Sequence, residues 1–164
     1  MKLLLLVRHA KSSWKDPGLP DRDRPLNKRG QKDAPRMGKR LAEDYPELEL
    51  VVSSPAERAM STAKAIAKAI DYPKSRIRVE ERLYQASPDE FIHVIRELDD
   101  DASQVVAVGH NPTLTEVATM LSRHPFDNVP ACGIVALGFE TDTWQDVGHT
   151  VGRLLAFDYP KKAR

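Results

Sequence analysis

The chain has 164 residues, 41% of them hydrophobic and 30% charged, with a net charge of +1. This length and composition lead us to expect one domain over residues 1–164 and exclude long disorder, while the near-neutral charge leaves no basic footprint for nucleic acid, so any anion binding must come from local clustering. The lone Cys132 excludes an internal disulfide framework and a thiolate metal cage.

The apolar opening, Leu3 to Val7, is too short for a signal-peptide core or a membrane span, and a reduced cytoplasmic protein with no membrane partner is the expectation. The run reads as a fully buried strand, since it lacks the alternation of a half-exposed one. It ends abruptly in Arg8 and His9. Residues 11–25 form a loop, with Pro17, Gly18, Pro20 and Pro25 as breakers and Trp14 placed either at a pocket mouth or on the surface. From Asn27 to Tyr45 a helix brings Ala34, Met37, Leu41 and Ala42 to one face, with Asn27 as its N-cap and Pro35 obscuring where it begins.

"LELVVSS" is the second strand and feeds directly into a helix with Pro55 in its first turn. "RIRV" at 76–79 is a short strand, and Pro88 to Leu98 a helix with Phe91, Ile92, Ile95 and Leu98 inward. The acidic Asp99, Asp100 and Asp101 read as a solvated loop rather than a metal site. "SQVVAVGHNP" is the next convincing strand, followed by a helix over Thr113 to Leu121. "GIVALGFE" and "GRLLAFDY" are strands, separated by a polar stretch that could carry a shorter one around Trp144. This alternation describes a three-layer α/β/α fold with a mainly parallel central sheet.

Three strand ends carry polar residues of one kind: Arg8 with His9, Arg58 one helical turn past Pro55, and His110 with Asn111. In a parallel sheet such ends share one edge, where open α/β sheets bind their ligands. Singly, each has an ordinary reading as a strand terminus, a core histidine or a solvated helix residue. Together, two arginines and two histidines facing one crevice describe a phosphoryl pocket, because guanidinium offers phosphate a planar fork of donors that lysine lacks. The helix start after Pro55 adds backbone N–H groups for an anion.

Other phosphate chemistries do not fit. Gly138 stands where a cysteine phosphatase built on Cys132 would need arginine, so Cys132 reads as a core residue. Asp21 and Asp23 lie in a loop rather than as an acidic pair at the end of a buried strand. No P-loop is present, and His93, His124 and His149 lack ligand spacing with carboxylates, so no metal site is expected.

"LVRHA", "SSPAERAMSTA" and "VVAVGHNP" together resemble the histidine phosphatase superfamily, also called the phosphoglycerate mutase-like fold. The short length and "DRDRPLNKRG" at 21–30 are similar to its small branch, the SixA-type phosphohistidine phosphatases. One departure is Ala10, where many members carry glycine after the histidine. The resemblance implies that His9 is the nucleophile and that Arg8, Arg58 and His110 bind the phosphoryl oxygens, with no metal or cofactor. The implied substrate is a phosphohistidine-bearing protein; a small phosphorylated metabolite or phosphoanhydride, and a non-catalytic phosphate-binding role, remain alternatives. Many members that cleave phosphate esters carry a glutamate after the third strand. Here Tyr84 and Gln85 follow Leu83, while Glu80 and Glu81 read as ordinary strand-end residues, so a dedicated general acid is not expected unless Asp21 or a neighbour substitutes. Nothing in the sequence settles the oligomeric state.

Overall fold

In the computed structural model, which describes residues 1–164, the opening apolar run forms strand β1 (Lys2–Arg8). Every side chain from Lys2 to Val7 is buried, and the two-residue period of a strand sends them alternately to two cores. Leu4 and Leu6 enter one, Leu3, Leu5 and Val7 the other. The sheet is completed by β2 (Leu50–Ser53), β3 (Arg78–Val79), β4 (Gln104–Gly109), β5 (Ile134–Phe139) and β6 (Arg153–Asp158), in the order β3-β2-β4-β1-β5-β6. The β1–β4, β2–β4 and β2–β3 pairs are parallel, whereas β1–β5 and β5–β6 are antiparallel. The sheet is thus the mainly parallel one expected, with an antiparallel edge.

Helices cover both faces. α1 (Lys28–Asp44) and α2 (Glu57–Ala69) pack Met37, Leu41, Ala63 and Ile66 onto the face that holds Leu3 and Leu5. α3 (Pro88–Arg96) and α4 (Thr113–Ser122) pack Phe91, Ile95, Leu114 and Val117 onto the other. β1 and β4 are therefore parallel neighbours whose chains leave toward opposite faces, β1 to α1 and β4 to α4. That divergence opens a crevice beyond their carboxyl ends, the usual ligand position in an open α/β sheet.

Local chemistry sets the helix ends. Asn27 caps α1 by accepting from the Gly30 N–H at 2.8 Å, and the helix runs on through Pro35. Ser87 and Glu90 form a reciprocal capping box at α3. α2 starts later than its proline suggests: Ala56 is the N-cap and Pro55 lies ahead of it, because the Ser54 hydroxyl already accepts the Ala56 N–H at 3.2 Å. On α3, Val94 is fully buried while Ile92 is half-buried, so the inward face is rotated from the one expected. No strand forms around Trp144. A turn of 3-10 helix, Trp144–Asp146, buries the indole completely, and its Nε1 donates to the Ala102 carbonyl at 2.7 Å. No helix is long and apolar enough to cross a membrane.

Candidate active site

His9 follows β1 directly and is held by the end of β4 on one side and by the turn leading into β5 on the other. Its N–H donates to the Gly109 carbonyl at 3.1 Å, and its own carbonyl accepts the Cys132 N–H at 3.1 Å. The next residue, Ala10, donates to Thr62 Oγ1 at 3.0 Å, and that hydroxyl donates to the Arg58 carbonyl at 2.8 Å. Thr62 thereby ties the segment bearing His9 to the helix bearing Arg58. On the far side, a Cβ at Gly30 would stand 2.2 Å from the Lys11 carbonyl, so only glycine lets α1 approach the chain just past the site.

The His9 ring has a defined tautomer. Nδ1 lies 2.7 Å from the Ala10 carbonyl, which can only accept, so Nδ1 carries the proton and Nε2 keeps its lone pair. Burial, reinforced by the positive charge of Arg58, Arg8 and Arg24, pushes the pKa down to about 4 despite the opposing pull of the Ala10 bond. The ring is thus a neutral imidazole at physiological pH.

The second histidine stands beside it, with ring centroids 5.1 Å apart. Burial, with His9 and Arg58 adding to it, lowers the pKa of His110 to about 3. Its Nε2 is 2.7 Å from Ser54 Oγ, while Nδ1 is buried without a partner. Arg8 shows a similar split. One guanidinium nitrogen, Nη1, donates to the Val129 carbonyl at 3.0 Å, and Nε is buried with no partner. Asn111 steadies the same carbonyl with a 3.0 Å bond, and its Oδ1 accepts from the Thr115 N–H and hydroxyl at the start of α4.

Arg58 sits in the first turn of α2, where backbone N–H groups lack intrahelical partners, and its residue is only 7% exposed. Its fork is occupied: Nη1 donates to the Asp21 carbonyl at 2.7 Å and Nη2 to the Asp21 carboxylate at 3.0 Å. The structure therefore brings Arg8, His9, Arg58 and His110 to one crevice, together with residues the sequence did not single out for this site. Tyr84 donates its hydroxyl to Asp21 at 2.6 Å, and its ring meets His110 edge-on at 5.7 Å. Arg24, buried in an otherwise exposed loop, bonds Asp21 at 3.0 Å and Ser12 at 2.6 Å and stacks on Trp14 at 3.2 Å from the ring centroid. Trp14 itself is 76% exposed.

One expectation about proton donors changes. The Tyr84 bond, with Arg58 and Arg24 beside it, holds the Asp21 carboxyl well below the usual carboxylate range, so it has no proton to lend a leaving group. Glu81, as an ordinary charged residue would be, is held ionised by Arg22 through bonds of 2.6 and 2.9 Å. Cys132 is fully buried, and burial pushes its thiol up to about 12, which suits a core residue. His93, His124 and His149 are exposed, and no three His, Cys, Asp or Glu side chains come together as a metal site.

Comparison with known proteins adds the lineage. Residues 4–91, more than half of the chain, match the family model described as histidine phosphatase superfamily (branch 1). An uncharacterized protein of Mycobacterium tuberculosis is 33% identical over 165 residues, covering 94% of this chain and all of the relative. Among solved structures, a protein provisionally named the phosphohistidine phosphatase SixA of Nakamurella multipartitia superposes with a TM-score of 0.84 at 26% identity, covering 98% and 97% of the two chains. The corresponding protein of Agrobacterium tumefaciens gives 0.81 at 25% identity, over 97% and 98%.

Proposed function

The chain belongs to the histidine phosphatase superfamily, and we propose that it is a phosphatase that works without a metal ion through a phosphorylated His9, with phosphohistidine in proteins as its substrate. The observation that carries this reading is the state of His9: a neutral ring with its proton committed to Ala10 and the Nε2 lone pair free. Neutral imidazole is a competent nucleophile, and a covalent intermediate divides one difficult displacement into two easier ones.

In the first step Nε2 attacks phosphorus, the bond to the leaving group breaks, and its electron pair departs with that group. In the second, water displaces the phosphoryl group from Nε2. Arg8, Arg58 and His110 would hold the equatorial oxygens while charge redistributes, and such fixed electrostatics supply most of the catalysis in phosphoryl transfer. The unpartnered Arg8 Nε and His110 Nδ1 support this role. A buried polar group left unpaired costs about 1–3 kcal/mol, and an oxyanion would remove that penalty.

The substrate assignment draws on the full-length likeness to proteins named phosphohistidine phosphatase and on the ionised state of Asp21 on the pocket wall, which cannot protonate an alkoxide. The test is to trap the intermediate. Brief exposure to a phosphorus-32-labelled phosphohistidine peptide and an alkaline quench should leave the label on the peptide containing His9, with none on a folded His9→Ala variant. Near-normal turnover by that variant would overturn the mechanism. A panel of phosphorylated metabolites run beside the peptide separates the protein substrate from a small one.

A further inference from the structure

Asp21 lies on the pocket wall that it shares with Arg58, Tyr84, Gln85 and His110. Its Oδ2 accepts from Arg58 Nη2 and the Tyr84 hydroxyl, and its Oδ1 from Arg24 Nη1. A carboxylate has about four acceptor positions, so three donors leave one free. The side chain is 48% exposed and lines that pocket. An enzyme for phosphate esters needs a proton donor beside its leaving group. This pocket offers a fixed negative charge instead, next to a phenol whose proton is already given to that charge.

Such a wall discriminates by repulsion as well as attraction. An alkoxide leaving from a serine ester gathers negative charge, and beside a carboxylate that charge is disfavoured. A phosphorylated imidazole is the reverse case: its distal ring nitrogen carries N–H and the ring is cationic when protonated. Resting on the reading above, we propose that Asp21 is a specificity-determining residue whose carboxylate accepts the distal N–H of the leaving imidazole, selecting phosphorus bound to a protonated ring nitrogen over phosphate esters. An opposite charge within hydrogen-bond reach favours the protonated ring. The step balances without proton transfer to the departing atom. His9 Nε2 supplies the electron pair of the new N–P bond, the old P–N bond breaks, and its pair neutralises the leaving ring, which departs as neutral imidazole with its distal proton still directed at Asp21.

The probes are phosphoimidazole, phospho-3-methylimidazolium, whose distal nitrogen has no hydrogen, and 4-nitrophenyl phosphate. In Asp21→Asn the ratio of kcat/KM for phosphoimidazole to that for 4-nitrophenyl phosphate should fall about tenfold or more, the scale of one hydrogen bond to a charged group. If Asp21 only holds its loop in place, both activities fall together and the ratio stays constant, which would overturn the proposal while leaving the phosphatase reading intact. The wild-type protein gives a test that needs no variant. Relative to uncatalysed hydrolysis, it should favour phosphoimidazole over the methylated compound about tenfold, and equal handling of the two would refute the role of the N–H. Failure of the wild type to hydrolyse either phosphoimidazole or a phosphohistidine peptide, with 4-nitrophenyl phosphate still turned over, would overturn the substrate assignment and this proposal together.

Discussion

His9 can attack only as neutral imidazole, so acid should silence the enzyme at the pH where this ring takes up a proton. Burial beside three arginines holds that pKa at about 4. At pH 5 such a ring is still about 90% neutral, whereas an ordinary imidazole titrating near 6.5 is only about 3% neutral. The value of kcat/KM on an aryl phosphate, corrected for ionisation of the substrate, should therefore be almost the same at pH 5 and pH 7; an unperturbed histidine would lose about 25-fold. The His9 carbon-13 shift, followed by NMR in phosphate-free buffer, reads the same equilibrium directly. Stability supplies the thermodynamic counterpart. The folded pKa is depressed, so as pH falls below about 6.5 the unfolded chain binds this proton first, and stability is lost down to the folded value. A displacement from 6.5 to about 4 corresponds to roughly 3 kcal/mol at about 1.36 kcal/mol per pH unit. That increment should be missing from the acid dependence of urea unfolding in His9→Gln. A His9 titration centred near 6.5, or parallel acid losses in the two proteins, would refute the buried, cation-flanked nucleophile.

Arg58→Lys keeps the charge but replaces a fork by a point, losing at least one of the two charge-assisted bonds that Nη1 and Nη2 give to Asp21. With such bonds at about 1.5–3 kcal/mol each, kcat/KM should drop about 10- to 150-fold, and a kinetically silent variant would place Arg58 outside the reaction. Chelators should leave the purified enzyme active and vanadate should inhibit it; inactivation by EDTA with recovery on adding a divalent ion would contradict the metal-independent route. On matched peptides, phosphohistidine should be cleaved well ahead of phosphoserine, because histidine leaves with a conjugate-acid pKa of only ~6.5 and needs no acid. Equal rates would point to a proton donor not yet identified.

Much of the frame was legible because its signals are local. A run such as Leu3–Val7 that breaks into Arg8 and His9 marks both a strand and its end, and the same break recurs at Ser53 and Gly109. Parallel pairing then brings those ends to one edge by geometry alone. The directions of β5 and β6 were not legible, since an apolar run looks alike whichever way it runs. Trp144 misled for a related reason: an aromatic among turn residues suggests a strand, yet what fixes it is a hydrogen bond to Ala102, 42 residues away. Asp21 and Tyr84 meet across 63 residues, and Arg24 is buried inside a loop with no periodicity to betray it. These contacts are tertiary, and no pattern within either segment encodes them. Asp21 as a stand-in acid failed on the same ground, because its ionisation is set chiefly by Tyr84 and Arg58, from two other segments.

The two tryptophans occupy opposite extremes of environment. Trp144 is sealed in the core with its N–H bonded to Ala102, while Trp14 lies open to solvent with the Arg24 guanidinium against its ring. Arg24 is in turn bonded to Asp21, which occupies the fork of Arg58. Intrinsic fluorescence should therefore contain a short-wavelength component that reports the integrity of the whole molecule and a long-wavelength one that reports the loop at the phosphate site. With Trp144→Phe the emission of a working protein would come from Trp14 alone, and arrival of an oxyanion at Arg58 could be watched through the cation stacked on that indole, with no dye attached.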